Sequence, residues 1–175
     1  LAPDLIFTQD VCPVCQIDTD QVQQAVQKLP CDPVIVPLLP KRLEEVFQDI
    51  LKIANATGYP DRGEHLLGQL RDRVEAIQRT LRSSGSPTKS LFFMEWPDPV
   101  FNSGHWIPDM IRLAGGFDPL ANPGGYSRRM EWQDILDADP EVIVIAPCGL
   151  SREQSLEEMQ KLKKQEGWGN LQAVC

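Results

Sequence analysis

Residues 91–106 read Leu-Phe-Phe-Met-Glu-Trp-Pro-Asp-Pro-Val-Phe-Asn-Ser-Gly-His-Trp, an apolar run that breaks into prolines, carboxylates and aromatic rings. A short apolar run ended by turn residues reads as a buried strand, here Leu91–Met94. Pro97 and Pro99 hold the following loop extended. Asn102 or Ser103 then caps a helix running to Ala114, which Gly115 and Gly116 stop. Strand, loop and helix in that order form the repeating unit of a parallel sheet covered by helices.

The same alternation continues on both sides. Downstream, residues 119–125 form a Pro/Gly-rich loop. Trp132, Ile135 and Leu136 mark a short helix ending at Asp139-Pro140. Val142–Ile145 is a second buried-strand run, and Ser151 caps a charged helix ending near Gly167. Upstream, residues 83–88 (Ser-Ser-Gly-Ser-Pro-Thr) make the clearest linker in the chain. Before it, Leu66, Leu70, Val74, Ile77 and Leu81 form one stripe of a helix about 30 Å long, starting near Arg62. Leu43, Val46, Phe47, Ile50, Leu51 and Ala54 mark another, closed by Gly58. Asp4–Thr8 and Val34–Val36 read as strands. Between them Asp18 to Gln21 has capping-box spacing and opens a helix carrying Val22, Ala25, Val26 and Leu29, which Pro30 stops. The expected fold class is α/β: two small parallel-sheet lobes, residues 1–58 and 85–175, joined by a long helix at 59–84.

The chain has 175 residues, 42% of them hydrophobic, which is enough for a substantial core. Its net charge of −8 argues against nucleic-acid binding, which needs clustered Lys and Arg against phosphates. No run of about 18 apolar residues exists to insert in a membrane. Leu1-Ala-Pro-Asp4 has neither the basic nor the apolar region of a signal peptide. Five cysteines (Cys12, Cys15, Cys31, Cys148 and Cys175) at irregular spacing do not make a disulfide framework.

Ligands of open parallel sheets lie beyond the carboxyl ends of the strands. The distinctive residues of this chain cluster there. Cys12-Pro-Val-Cys15 follows the first strand; such a pair serves thiol–disulfide chemistry, holds half a zinc site, or simply packs a tight loop. Glu95, Trp96, Asp98, Phe101, His105 and Trp106 follow the Leu91–Met94 strand. Aromatic rings beside a few polar groups suit a flat, partly apolar ligand, although Trp106 also fits a helix core and His105 a hydrogen-bonded loop. Cys148 follows Val142–Ile145, facing a cleft or buried and inert. Cys12, Cys15, His105 and Cys148 together make a soft donor set suited to zinc, or to an axial bond to a bound metal complex. No nucleophile–base pair stands out, and both the G-x-G-x-x-G and G-x-x-x-x-G-K-[ST] phosphate loops are missing. The chain therefore reads as a binding module and not an enzyme, with a thiol oxidoreductase or zinc-binding protein built on Cys12 and Cys15 as the alternative.

Three stretches also resemble a known family: Pro3–Asp10 with Cys12 and Cys15; Glu95–Pro99 with Gly104–Trp106 and Ala114–Gly116; and Asp139–Ile145 with Pro147–Gly149. They are similar to the cobalamin-binding branch of the class III, TroA-like periplasmic binding proteins, over nearly the whole chain. The resemblance implies two α/β lobes bridged by a helix, with a cobalamin or related metal–tetrapyrrole or iron complex held between them. It implies no required cofactor, a periplasmic or extracellular setting, and docking on an ABC transporter permease. On the second lobe Glu131 is the nearest candidate for the docking carboxylate. Compared with the family pattern, the chain is expected to lack a strand and helix at each end. Unpaired strand edges would then favour self-association or leave the chain only marginally stable.

Overall fold

The computed structural model describes residues 2–9 and 24–175. Its backbone groups into two compact units, Leu1–Glu75 and Ala76–Cys175. In the first, β1 (Leu5–Gln9) and β2 (Val34–Leu38) pair in parallel, Leu5 opposite Val34 and Gln9 opposite Leu38. Helix α1 (Leu43–Ala56) begins where Glu45 Oε2 accepts the backbone N–H groups of Lys41 at 2.6 Å and Arg42 at 3.3 Å. Helix starts leave such donors unpaired, and an acid in the first turn also suits the positive end of the helix dipole. Gly58, at φ 77°, turns the chain out of α1 in a conformation that favours glycine.

Helix α2 (Pro60–Ser84) has 25 residues and is about 37 Å long; the boundary between the units falls inside it. Its first turns lie against α1, and a Cβ at Gly63 would stand only 2.4 Å from the Cβ of Ala54. That contact centres the buried face on Gly63 and Leu67. The sequence stripe placed Leu66 and Ile77 on that face, but they are 44% and 52% exposed. Periodicity located the helix; the missing side chain of Gly63 decided its rotation.

The second unit is a three-stranded parallel sheet in the order β6–β3–β7, with β3 (Lys89–Met94) central. It pairs with β6 (Gly116–Phe117) on one side and β7 (Val142–Ile145) on the other, Leu91 opposite Val142 and Met94 opposite Ile145. Side chains alternate across a strand. Phe92 and Met94, both fully buried, therefore face one core with Ile135, Leu162, Trp168 and Leu171. That face is covered by α4 (Trp132–Ala138), α5 (Arg152–Leu162) and a 3₁₀ turn at Trp168–Asn170. Leu91 faces the other way, toward α3 (Ile107–Leu113): a Cβ on Gly116 would meet Leu91 at 2.6 Å and Ile111 at 3.1 Å. The fold class is thus α/β with small parallel sheets, as expected.

Two carboxylates tie this unit together. Glu141, just ahead of β7, accepts from the Lys89 amine at 2.6 Å and the Ser90 N–H at 2.9 Å, and these bonds, the lysine's first, lower its pKa. Asp139 ends α4 in the left-handed region, and the bonds it accepts from the backbone and side chain of Gln172, each 2.9 Å, lower its pKa.

Three local expectations change. The helix expected from Asn102 or Ser103 begins at Ile107, because both side chains are spent on the neighbouring loop. The loop expected to be extended is a hairpin: β4 (Trp96–Pro97) and β5 (Val100–Phe101) pair antiparallel about a cis Asp98–Pro99 bond. Ser151 does cap α5, its hydroxyl accepting Gln154 N–H at 3.3 Å, but the helix ends at Leu162 rather than near Gly167.

Candidate functional site

The site is built where β3 and β7 end. Met94 O accepts the N–H of Ala146 at 3.1 Å and Glu95 O that of Cys148 at 3.4 Å, so Glu95 and Cys148 lie side by side. The Glu95 carboxylate turns back into the scaffold. It accepts the Gly104 N–H at 3.0 Å and the Ser127 hydroxyl, gathering two loops onto the strand end.

Beyond Glu95 the hairpin rises from the sheet, and residues 128–130 join it by an isolated antiparallel bridge. Asn102 N–H donates to Arg128 O at 3.0 Å, Met130 N–H to Val100 O at 2.8 Å, and Phe101 bridges antiparallel to Arg129. Pro97, Val100 and Met130 occupy the face turned to the core. Residues directly opposite in antiparallel strands share a face. Trp96 opposite Phe101, and Phe101 opposite Arg129, therefore make one row on the other side. Trp96 and Phe101 are half-buried and Arg129 is exposed. At the tip, the Trp96 indole N–H donates to Asp98 O at 2.9 Å. The Lys161 amine of α5 is held above its ordinary pKa, chiefly by its bond to Glu158 and also by the charge of Asp98.

The segment after the hairpin is pinned from beneath. Asn102 is 2% exposed; its amide donates to Leu120 O and its oxygen accepts Arg128 N–H at 2.6 Å. Ser103, fully buried, donates to Asp118 Oδ2 at 3.1 Å, and the same oxygen accepts the Phe93 N–H at 3.1 Å. Burial pushes the Asp118 carboxyl up, against the hydrogen bonds from Phe93, Leu120 and Ser103 that favour its charge. His105 sits at φ 50°, its N–H donating to Gly125 O at 2.7 Å and its carbonyl accepting Gly124 N–H at 3.0 Å. Its ring lies 5.8 Å from Trp106 and edge-on to Tyr126 at 5.3 Å. His105 Nε2 is buried without a partner among the described residues.

The residues singled out from sequence separate accordingly. Trp96, Asp98 and Phe101 share the hairpin, His105 and Trp106 share the aromatic group with Tyr126, and Glu95 and Cys148 meet through their backbones. Cys148 is exposed, in the turn that Gly149 makes at φ 77°. Glu131 is exposed at the start of α4, where its N–H donates to Asp134 Oδ2 at 3.0 Å. Cys12 and Cys15, with the helix start at Asp18–Gln21, lie outside the described residues. Among the described residues no three His, Cys, Asp or Glu side chains are grouped to hold a metal ion. Sequence reading missed Ser127, Asn102, Asp118, Tyr126 and Arg129. The first three show themselves only through bonds across about 15 to 30 residues of chain; Tyr126 sits after Gly124-Gly125 and was visible as an aromatic in a loop.

The model of the periplasmic binding protein family matches residues 1–175. Comparison with curated protein sequences finds no match. Among solved structures, an ABC transporter substrate-binding protein from Listeria monocytogenes is similar at a TM-score of 0.76 and 14% identity, over 98% of this chain and 64% of that one. The periplasmic vitamin B12 binding protein BtuF of Vibrio cholerae is similar at a TM-score of 0.66 and 18% identity, covering 98% and 61%. The apo form of the periplasmic heme-binding protein RhuT from Roseiflexus sp. RS-1 is similar at 0.73 and 22% identity, covering 98% and 63%. This chain thus spans less than two thirds of the length of each of these.

Proposed function

Because this chain belongs to the periplasmic binding protein family, we propose that it captures a solute for an ABC importer outside the cytoplasm and catalyses no reaction. The solute is a cobalamin or a related planar metal–tetrapyrrole or iron complex. The observation that carries this reading is the hairpin, which presents Trp96 and Phe101 on the side away from the core. Two rings held on a rigid support contact a flat ligand at little entropic cost, since neither must be ordered on binding. His105 and Trp106, gathered with Tyr126, supply a second aromatic group. The resemblance of the Glu95–Trp106 stretch to the cobalamin-binding branch supports the same ligand class, as does the vitamin B12 binding relative of similar fold. Glu131, exposed at the start of α4, is the docking carboxylate toward a permease. The unpaired outer edges of β6 and β7 favour self-association or leave the chain only marginally stable; light scattering should then give a mass above that of the monomer or melting should be low, and a stable monomer with a high Tm would count against both.

The test is titration of the folded protein with cobalamin and with an iron porphyrin, followed by tryptophan fluorescence and heat. Binding of either is expected, weakened by substitution of Trp96 or Phe101 with Ala. No response to either at about 100 μM, which corresponds to about 5.5 kcal/mol of binding free energy, refutes the ligand class.

A further inference from the structure

We propose that Arg129 completes the binding face of the hairpin and selects ligands that carry carboxylates or another anionic group at their edge. The inference rests on the reading of this face as the ligand contact. It follows from the register of the bridge between residues 128–130 and β5. The bonds at Asn102–Arg128 and Val100–Met130 make Phe101 and Arg129 the pair between them, where opposed side chains stand closest. Trp96 is the next partner in the same row. The row thus runs indole, benzyl, guanidinium on one side, with Pro97 and Val100 buried and Met130 partly buried on the other.

Among the described residues Arg129 makes no ion pair, and its side chain is exposed. The bridge fixes its backbone opposite Phe101, so the guanidinium stays within side-chain reach of the two rings. A planar fork of N–H donors beside a flat apolar surface matches an anion at the rim of a flat apolar ligand. The protein as a whole carries a net charge of −8, which repels anions at long range. A local cation is therefore needed to accept one here, and salt screens both effects.

The experiment uses the full chain and two forms of one macrocycle: iron(III) coproporphyrin with its four free carboxylates, and the same compound with those carboxylates converted to neutral hydroxyethylamides. The carboxylate form is expected to bind roughly 10- to 100-fold tighter, the range of one good charge-assisted contact. R129Q should reduce that ratio to about 1, chiefly by weakening the carboxylate form, and R129K should restore part of it. Equal affinity of both forms for the unmodified protein overturns the inference and leaves the tetrapyrrole reading standing. A ratio that survives in R129Q assigns the anion to another cation and overturns it as well. Binding of neither form overturns this inference, and the tetrapyrrole reading falls with it only if cobalamin also fails to bind. Unchanged melting of R129Q shows that any loss comes from the site and not the fold.

Discussion

Replacing Gly104 with Ala tests whether the two loops gathered by Glu95 are packed as tightly as the geometry states. The added Cβ would lie 2.5 Å from Ser127 N, 2.8 Å from Gly125 O and 2.8 Å from the carbonyl carbon of Tyr126. All three are backbone atoms, so no side chain can swing aside. Ordinary contact requires the segment at 125–127 to retreat by several tenths of an ångström or more. Overpacking of this kind costs about 1 to 3 kcal/mol. The retreat also strains the bonds from Gly104 N–H to Glu95 at 3.0 Å and from His105 N–H to Gly125 at 2.7 Å. Losing both adds about 2 kcal/mol. Against this, Ala restricts the unfolded chain and returns about 0.4 to 1 kcal/mol. The net loss is about 2 to 4 kcal/mol, or a fall in Tm of at least about 8 °C for a unit of this size. Thermal unfolding followed by circular dichroism measures it. The control is Gly169→Ala, whose Cβ would meet nothing within 4 Å. A Gly104→Ala protein that melts within about 2 °C of the control refutes the packing argument.

Substituting Gly63 with Ala should destabilise the first unit by about 1 to 3 kcal/mol through its clash with Ala54, and adding Ala54→Gly should recover part of that; strict additivity in denaturant unfolding would show that the helices do not meet there. Gly68, also in α2, has open space where a Cβ would be. Its replacement by Ala should stabilise the protein by up to about 1 kcal/mol, and a drop in the denaturation midpoint would contradict this. Glu141 has a lowered pKa, so its contribution is complete above its ordinary value of about 4.5 and is lost as pH falls through the lower, folded value. Glu141→Gln should therefore weaken the protein at neutral pH and flatten the loss of stability on acidification below about pH 4.5; an unchanged slope in that range would rule the carboxylate out. Asp118 works with the opposite sign. Its raised pKa adds stability as pH falls toward its ordinary value of 3.8, a rise that Asp118→Asn should abolish while leaving donors at Phe93 and Leu120 poorly matched.

Sequence reading reached the elements whose evidence is local. Val142–Ile145 is a continuous apolar run, and the Ser151 cap needs only Gln154 three residues on. It failed where a residue's partner is distant. Asn102 and Ser103 are good caps by type, yet their side chains serve Leu120 and Asp118. Tertiary bonds outweighed a local preference worth about 1 kcal/mol. Prolines at 97 and 99 restrict the backbone but do not state whether the chain runs straight or folds back; the buried pair Pro97 and Val100 decides for the hairpin. Arg129 could not be found at all, because its place opposite Phe101 depends on pairing of residues 128–130 with β5. The aromatic group was legible by composition, and its arrangement was not.

The burial of Trp168 and Leu171 beneath β3 has a consequence for the order in which the second unit forms. A ribosome delivers Phe92 and Met94 long before the residues that cover them. Strand β3 gains one neighbour only when Gly116 emerges and the other only at Val142. Until residue 171 is free, the face carrying Phe92 and Met94 stays open to whatever the nascent chain encounters. Domains tend to fold as units during synthesis. This one cannot cover Phe92 and Met94 before Trp168 and Leu171 emerge, so a stalled or clipped chain ending before Trp168 should expose that face and be a target for chaperones and proteases.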